Sequence, residues 1–128
     1  MKMVYMRTRH RRHMQRYMSE GVYLPVNVNA MDDDYIIRAF VPGVNAEDLE
    51  IAVEGNTLTI GGEFALETAE DEQVRQSELP SGRFQRTLHF GAELDASKAE
   101  ASVTNGVLTL RVAKAESAKT KRIEVKAS

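Results

Sequence analysis

The three histidines are the residues whose possible chemistry has to be considered first. His10 and His13 are spaced by three residues, so on a helix they would share a face and could bind a metal ion. Two ligands without a third nearby make a weak metal site. His89 lies between Leu88 and Phe90 in an alternating run, which favours a strand residue with a hydrogen bond over a catalytic base.

Other reactive residues occur without the motifs that their chemistry needs. A Ser-His-Asp triad can be drawn from Ser77, His89 and Asp95, but no nucleophile elbow surrounds the serine. The chain has no cysteine and no G-x-x-x-x-G-K-[ST] loop for nucleotide phosphates. The three aspartates at 32–34 lack the spacing of a calcium loop and indicate a turn. The sequence therefore predicts a protein that is not an enzyme and uses no metal or cofactor.

The clearest structural signal is a hairpin centred on Asn105-Gly106. Apolar and polar residues alternate before it, from Ala101 to Val103, and after it, from Leu108 to Val112. Asn and Gly tolerate the positive φ that a two-residue hairpin turn requires. Because a lone hairpin is unstable in water, this one must pack against further strands.

A second hairpin is predicted around Gly55-Asn56. Leu49-x-Ile51-x-Val53 precedes this turn, and Leu58-x-Ile60 follows it. Gly61-Gly62 follows the second of these runs.

The remaining segments complete an all-β fold. Val26 and Val28 alternate with asparagines, and residues 35–41 and 84–90 are β-rich. Residues 91–98 are predicted to be a loop or a single turn. The acidic stretch from Phe64 is predicted to be an exposed loop that contains a short strand at 74–79. About seven or eight strands with frequent turns, and no helix after the first 21 residues, predict an immunoglobulin-like antiparallel β-sandwich.

Arg86 is the polar member of an otherwise apolar face that also contains Phe84, Leu88 and Phe90. An unpaired charge among apolar neighbours is costly. We therefore expect its guanidinium to reach an acidic side chain or a carbonyl of another segment or subunit.

Residues 1–21 form a basic, methionine-rich N-terminal arm. The net charge of −2 divides into about +5 for the first 20 residues and −7 for the rest. Spacings of three and four predict a short amphipathic helix with an apolar side. The residues expected to serve assembly or client binding are Met3, Met6, Met14, Tyr17 and Met18.

Several roles for this arm are open. The helix could pack against copies of itself or against the domain. It could also bind a membrane surface or the phosphates of a nucleic acid. A methionine-rich surface could accept many partners, because thioether chains adapt their shape.

Residues 22–113 are the predicted sandwich, and residues 114–128 a flexible C-terminal extension. In this extension, Ile123-Glu124-Val125 places two β-branched side chains on one face of an extended tripeptide. An apolar pair at the end of a polar tether is expected to dock at a sheet edge.

The expected location is the cytoplasm. No apolar run approaches the ~20 residues of a membrane span, and the basic start lacks the apolar region of a secretory signal. The absence of cysteine is compatible with a reducing compartment.

Taken together, these segments resemble the small heat-shock protein (α-crystallin domain) family, and the long loop containing residues 74–79 looks like its prokaryotic and plant branch. The resemblance covers about residues 24–125. It rests on Pro25-Val26-Asn27-Val28, Val41-Pro42-Gly43-Val44, the two runs beside Gly55-Asn56, Gly82-x-Phe84-x-Arg86, Asn105-Gly106-Val107-Leu108 and Ile123-x-Val125.

The resemblance implies an ATP-independent holdase, a chaperone that assembles from dimers into homo-oligomers and binds unfolding proteins. Neither nucleic acid nor membrane would be its main partner. Ile123 and Val125 would be the C-terminal anchor. The groove that accepts them would be formed by Leu49, Ile51, Val53, Ala101 and Val103.

The resemblance also implies a dimer in which the short strand of the long loop pairs with the partner subunit. The corresponding interface residues are Val26, Val28, Val74, Gln76, Glu78 and Arg86. Two other readings stay open: an adaptor sandwich that binds one specific partner, and a polyanion or membrane-surface binder that acts through the basic arm.

Overall fold

The computed structural model describes residues 21–118 and 123–127. Two sheets of antiparallel strands make up this part of the chain, as the alternating patterns predict. The strands are β1 (Val26–Ala30), β2 (Asp34–Phe40), β3 (Glu50–Glu54), β4 (Thr57–Phe64), β5 (Gly82–His89), β6 (Leu94–Thr104) and β7 (Val107–Lys114). Short 3-10 helices occur at Ala46–Asp48 and Glu116–Ala118.

The two sheets enclose one core. Four strands lie in the order β1-β2-β7-β6, and three in the order β3-β4-β5. Alternate residues of each strand point inward, because the side-chain period of a strand is two. The largest fully buried side chains are Leu24, Ile37, Val41, Ile51, Leu58, Ile60, Phe84, Leu108, Leu110 and Val112. The predicted β-sandwich is confirmed.

The hairpin at Asn105-Gly106 is also confirmed. Asn105 and Gly106 have φ of 52° and 75°, and Thr104 pairs with Val107 across the turn. Gly106 O accepts a 2.7 Å hydrogen bond from Val41 N. A Cβ at Gly106 would lie 3.2 Å from Pro42 Cα, so the turn needs glycine both for its φ and for this close approach.

The hairpin at Gly55-Asn56 is confirmed, because Glu54 pairs with Thr57 across the turn. β4 continues through both glycines to Phe64. A Cβ at Gly62 would lie 2.5 Å from Phe84 Cζ, so the missing side chain makes room for the Phe84 ring. That ring stacks at 4.6 Å on Phe64. Glycine here marks a close approach within a strand.

The loop predicted at residues 91–98 is shorter than expected. β6 begins at Leu94, which is buried and donates a 3.0 Å hydrogen bond to Gly55 O. A register shift between Asp95 and Ala99 interrupts the pairing with β7. Asp95 Oδ1 accepts hydrogen bonds from Ser97 N (3.0 Å) and Ser97 Oγ (2.5 Å). These local hydrogen bonds take the place of backbone pairing with β7 at this point. Because the strand is irregular here, alternation in the sequence did not predict it.

The short strand expected at Val74–Leu79 is absent from the single chain. Residues 65–81 connect β4 to β5 without strand structure. Val74 and Leu79 are 80% and 67% exposed. An extended segment is a strand only where a neighbour pairs with its backbone, and within the described residues no strand does so here.

Candidate docking edges of the sandwich

Two edges of the sandwich carry the residues predicted to mediate assembly. The β3–β6 edge is formed where β6, at one end of the four-stranded sheet, contacts β3, at one end of the three-stranded sheet. The β1–β5 edge is formed by the strands at the other ends of the two sheets. Edge strands present unpaired backbone groups, so both edges can add a further strand.

The five predicted groove residues lie together at the β3–β6 edge. Leu49, Ile51, Val53 and Ala101 are buried in the core, and Val103 packs half-buried against them. This edge therefore offers the backbone of β3 and β6 above an apolar wall, with Val103 the accessible side chain of the five.

The C-terminal anchor lies outside the core. Ile123 is 87% exposed and Val125 93% exposed, so the described chain does not bury them against its own sandwich. Before them, Ala115 N donates a 2.8 Å hydrogen bond to Glu93 O, and Lys98 Nζ lies 3.3 Å from Glu116 Oε1. The extension thus leaves the sandwich alongside the first half of β6.

At the β1–β5 edge, Arg86 finds the carbonyl partner that the sequence predicts. Its Nη1 donates a 3.4 Å hydrogen bond to Leu24 O, and its guanidinium lies 5.1 Å from the centre of the Tyr23 ring. Both contacts belong to the segment just before β1. Arg86 therefore joins the two sheets, because it connects β5 to the start of β1.

The other predicted dimer residues are accessible. Val26 is half-buried, and Val28 is 43% exposed on the edge strand β1. Val74, Gln76 and Glu78 are exposed in the long loop. The structure thus leaves the apolar side chains of β1 and of the loop without complete burial in one chain.

Sequence reasoning missed further apolar residues near this edge. Tyr23, Met31 and Leu66 are exposed, next to β1 or in the loop. Tyr23 lies between Val22 and Leu24, and Leu66 follows Phe64-Ala65. Which of these apolar neighbours stays exposed depends on the folded surroundings, so no sequence pattern identified them.

The residues of the hypothetical Ser-His-Asp triad have other surroundings. His89 is exposed, with Nδ1 3.3 Å from Thr57 Oγ1, as expected for a strand histidine with a hydrogen bond. The Asp95 carboxylate bonds to Ser97, and Ser77 is exposed in the long loop. Within residues 21–118 and 123–127, no three His, Cys, Asp or Glu side chains are grouped to hold a metal ion.

Some predicted residues lie outside the described part of the chain. These are His10, His13 and the arm residues Met3, Met6, Met14, Tyr17 and Met18. Among the described residues no helix is long and apolar enough to cross a membrane.

Comparison with known sequences identifies relatives over most of the chain. The Hsp20/alpha crystallin family model matches residues 27–126. The "18 kDa antigen 2" of Mycobacterium avium is 34% identical over 96% of this chain and 93% of its own. The "18 kDa heat shock protein" of Streptomyces albus G is 36% identical over 84% and 76% of the two chains.

Solved structures share the fold. Heat shock protein 16.0 from Schizosaccharomyces pombe has a TM-score of 0.68 and 32% identity, and the match covers 82% of this chain and 99% of that one. A small heat-shock protein from Xylella fastidiosa, described as having a distinct high order structure, has a TM-score of 0.64 and 26% identity. That match covers 81% of this chain and 96% of the other. The resemblance inferred from the motifs is confirmed: the chain belongs to the Hsp20/alpha crystallin family of small heat-shock chaperones.

Proposed function

We propose that this protein is an ATP-independent holdase that binds unfolding proteins in the cytoplasm and keeps them from aggregating. It works as a dynamic homo-oligomer built from dimers. The observation that carries the proposal is the exposure of Ile123 and Val125 beside a sandwich whose β3–β6 edge is open. Family membership supports the chaperone role.

Ile123 and Val125 dock at the β3–β6 edge of a neighbouring subunit. Their exposure in the single chain favours a site in another molecule over one in their own. Burying such side chains stabilises by about 1.5–3 kcal/mol each, and ordering the extension offsets part of this. Each contact is therefore weak, while many contacts in one oligomer together hold it and still exchange.

The dimer forms at the β1–β5 edge. The loop segment 74–79 pairs with β1 of the partner, which supplies the hydrogen bonds that this segment lacks in one chain. Pairing also covers Val28 and Val74, both exposed in the single chain. The dimer is thus the stable unit, and the anchor joins dimers.

Clients bind when anchors undock. Undocking exposes an apolar pair and a sheet edge at once, and unfolded segments can occupy both because they offer extended backbone and apolar side chains. Methionines of the arm adapt to heterogeneous clients. Self-assembly and client binding therefore compete for the same surfaces, and the cycle needs no nucleotide.

The test is a double substitution, Ile123→Ala with Val125→Ala. We expect smaller oligomers by native mass spectrometry at several concentrations, and altered suppression of the aggregation of a heat-denatured model client without ATP. The matched control is Glu124→Ala, which changes the opposite face of the same tripeptide.

Unchanged size and unchanged suppression in the double variant would contradict the anchor mechanism. A concentration-independent monomer that lets the client precipitate would refute the holdase and favour an adaptor that binds one specific partner. A main activity of salt-sensitive binding to heparin or to anionic vesicles would instead favour the polyanion or membrane-surface binder.

A further inference from the structure

The outer face of the β3-β4-β5 sheet carries a cleft that the holdase proposal does not use. Because Ile51 and Ile60 pair and face the core, Glu50, Gly61 and Gln85 pair across the opposite face. The cleft measures about 470 Å³. Thr59, Gly61 and Gln85 lie among its lining residues, and the absence of a side chain at Gly61 deepens it. We call this feature the outer cleft.

The outer cleft has an excess of negative charge. Asp48, Glu50 and Glu63 contribute carboxylates to its lining, against the one guanidinium of Arg83. These four residues come from the first 3-10 helix, β3, β4 and β5, so the charge is a property of the folded sheet. A basic ligand is the complementary partner.

The carboxylates determine which ligand suits the outer cleft. Gln85 also lines it, but Gln85 Oε1 is inaccessible to solvent and therefore to a docking ligand. An arginine, which has five N–H donors in a planar fork and no acceptor, is suited to pair with carboxylates.

The first described residues contact β5, which contributes to the lining of the outer cleft. Val22 N donates a 2.7 Å hydrogen bond to Arg83 O, and Val22 forms a parallel bridge with Phe84. Both β5 residues line the outer cleft. Arg16 lies six residues before Val22 in the sequence, a separation that spans at most about 21 Å.

We propose that the N-terminal arm docks through its arginines on the outer cleft of the same chain. Arg7, Arg9, Arg11, Arg12 and Arg16 supply the charge, and the tether at Val22 gives a high effective concentration. This inference goes beyond the holdase function, because the docking requires neither client nor oligomer.

The first test is limited trypsin digestion of the full-length protein, with cleavage after the five arm arginines followed by mass spectrometry. The cleft variant removes the three carboxylates without adding trypsin sites: Asp48→Asn, Glu50→Gln and Glu63→Gln. The control removes three exposed carboxylates elsewhere: Asp33→Asn, Glu93→Gln and Glu100→Gln. Thermal melting establishes that both variants are folded.

We expect arm cleavage to be roughly three- to tenfold faster in the cleft variant, because docked segments are cut only when they open. The control variant should be cleaved at the same rate as the unmodified protein. High salt should raise the cleavage rate of both to that of the cleft variant. Equal rates in all three proteins at low salt would overturn the proposal.

A second test does not require the protein to remain folded after the loss of three carboxylates. The chain has no cysteine, so paired cysteines report proximity cleanly. Thr8→Cys with Ala65→Cys, which lies in the lining of the outer cleft, should cross-link within one chain. Thr8→Cys with Ser97→Cys on β6 is the control and should not. Cross-links formed equally in both pairs, or only between chains, would overturn intrachain docking. Either result leaves the anchor test of the holdase unaffected.

Discussion

The two edges of the sandwich differ in where their apolar side chains lie. At the β3–β6 edge, Leu49, Ile51, Val53 and Ala101 are already buried in the core of one chain. At the β1–β5 edge and its loop, Val28, Val74 and Leu79 stay exposed. The β3–β6 edge therefore buries these apolar side chains within one chain, whereas the β1–β5 edge leaves them exposed to solvent.

In the proposed holdase, this difference separates two kinds of contact. An edge that exposes apolar side chains loses stability whenever its partner leaves, so the β1–β5 edge favours a lasting dimer. At the β3–β6 edge the side chains are already buried, so only the docking segment gains apolar burial. This edge therefore favours reversible docking of Ile123 and Val125. Reversible exposure is what a holdase needs.

The largest effect is expected from substitutions that weaken the proposed dimer contact at the β1–β5 edge. Val74→Ser with Leu79→Ser should raise the dimer dissociation constant roughly hundredfold, because about 1.5 kcal/mol of burial is lost at each position. Sedimentation measured in the background of Ile123→Ala with Val125→Ala isolates the dimer. Glu72→Ser with Gln73→Ser, in the same loop, is the control and should leave the constant unchanged. An unaffected dimer would place its interface elsewhere.

A smaller effect is expected where the two edges meet through the core. Gly62→Ala would place a methyl group 2.5 Å from Phe84 Cζ and 3.1 Å from Leu49 Cδ2. These side chains belong to β5 and to the start of the groove wall, so both edges should be disturbed. We expect the free energy of unfolding to fall by about 1–3 kcal/mol, measured by denaturant titration.

The control for this substitution is the neighbouring glycine. At Gly61 an added Cβ would meet its nearest atoms at 3.8 Å and 3.9 Å, which is ordinary contact. Gly61→Ala should therefore change the free energy of unfolding by less than about 0.5 kcal/mol. Equal effects at both positions would show that backbone preference, rather than the Phe84 ring, selects glycine.

Arg86→Met should weaken one edge alone. Met fills a similar volume but removes the hydrogen bond to Leu24 O and the contact with the Tyr23 ring. We expect a loss of about 1–2 kcal/mol in the free energy of unfolding and faster amide exchange in residues 22–30. Amide exchange in β3 and β6 should stay unchanged. Exchange raised equally at both edges would contradict this separation.

The smallest expected effect lies between the edges. Arg111 Nη2 and Nε bond to Asp34 Oδ2 at 2.6 Å and 2.9 Å, joining β7 to β2. The Arg111 side chain is about half exposed, and ion pairs in contact with solvent contribute little. Asp34→Asn should lower the melting temperature by no more than a few degrees without changing the dimer dissociation constant. A dissociated dimer would mean that the edges are coupled through the sheet centre.

The sequence by itself determined the elements in which local rules agree. Alternation and Asn105-Gly106 specify the hairpin of β6 and β7, and composition separates the basic arm from the acidic body. The apolar face around Arg86 required a carbonyl or acidic partner, although the sequence did not identify it. These features follow from side-chain period and φ preference, which act within a few residues.

Only the tertiary structure decided the features that depend on neighbours distant in sequence. Gly62 lies within β4 because the Phe84 ring occupies the space of its missing side chain. β6 starts at Leu94 because Leu94 pairs with Lys114 of β7. The groove residues became a buried wall, and three carboxylates from separate segments met in the outer cleft. Packing between residues that are distant in sequence decides which side chains are buried and which lie side by side. The local pattern of apolar and polar residues contains neither kind of information.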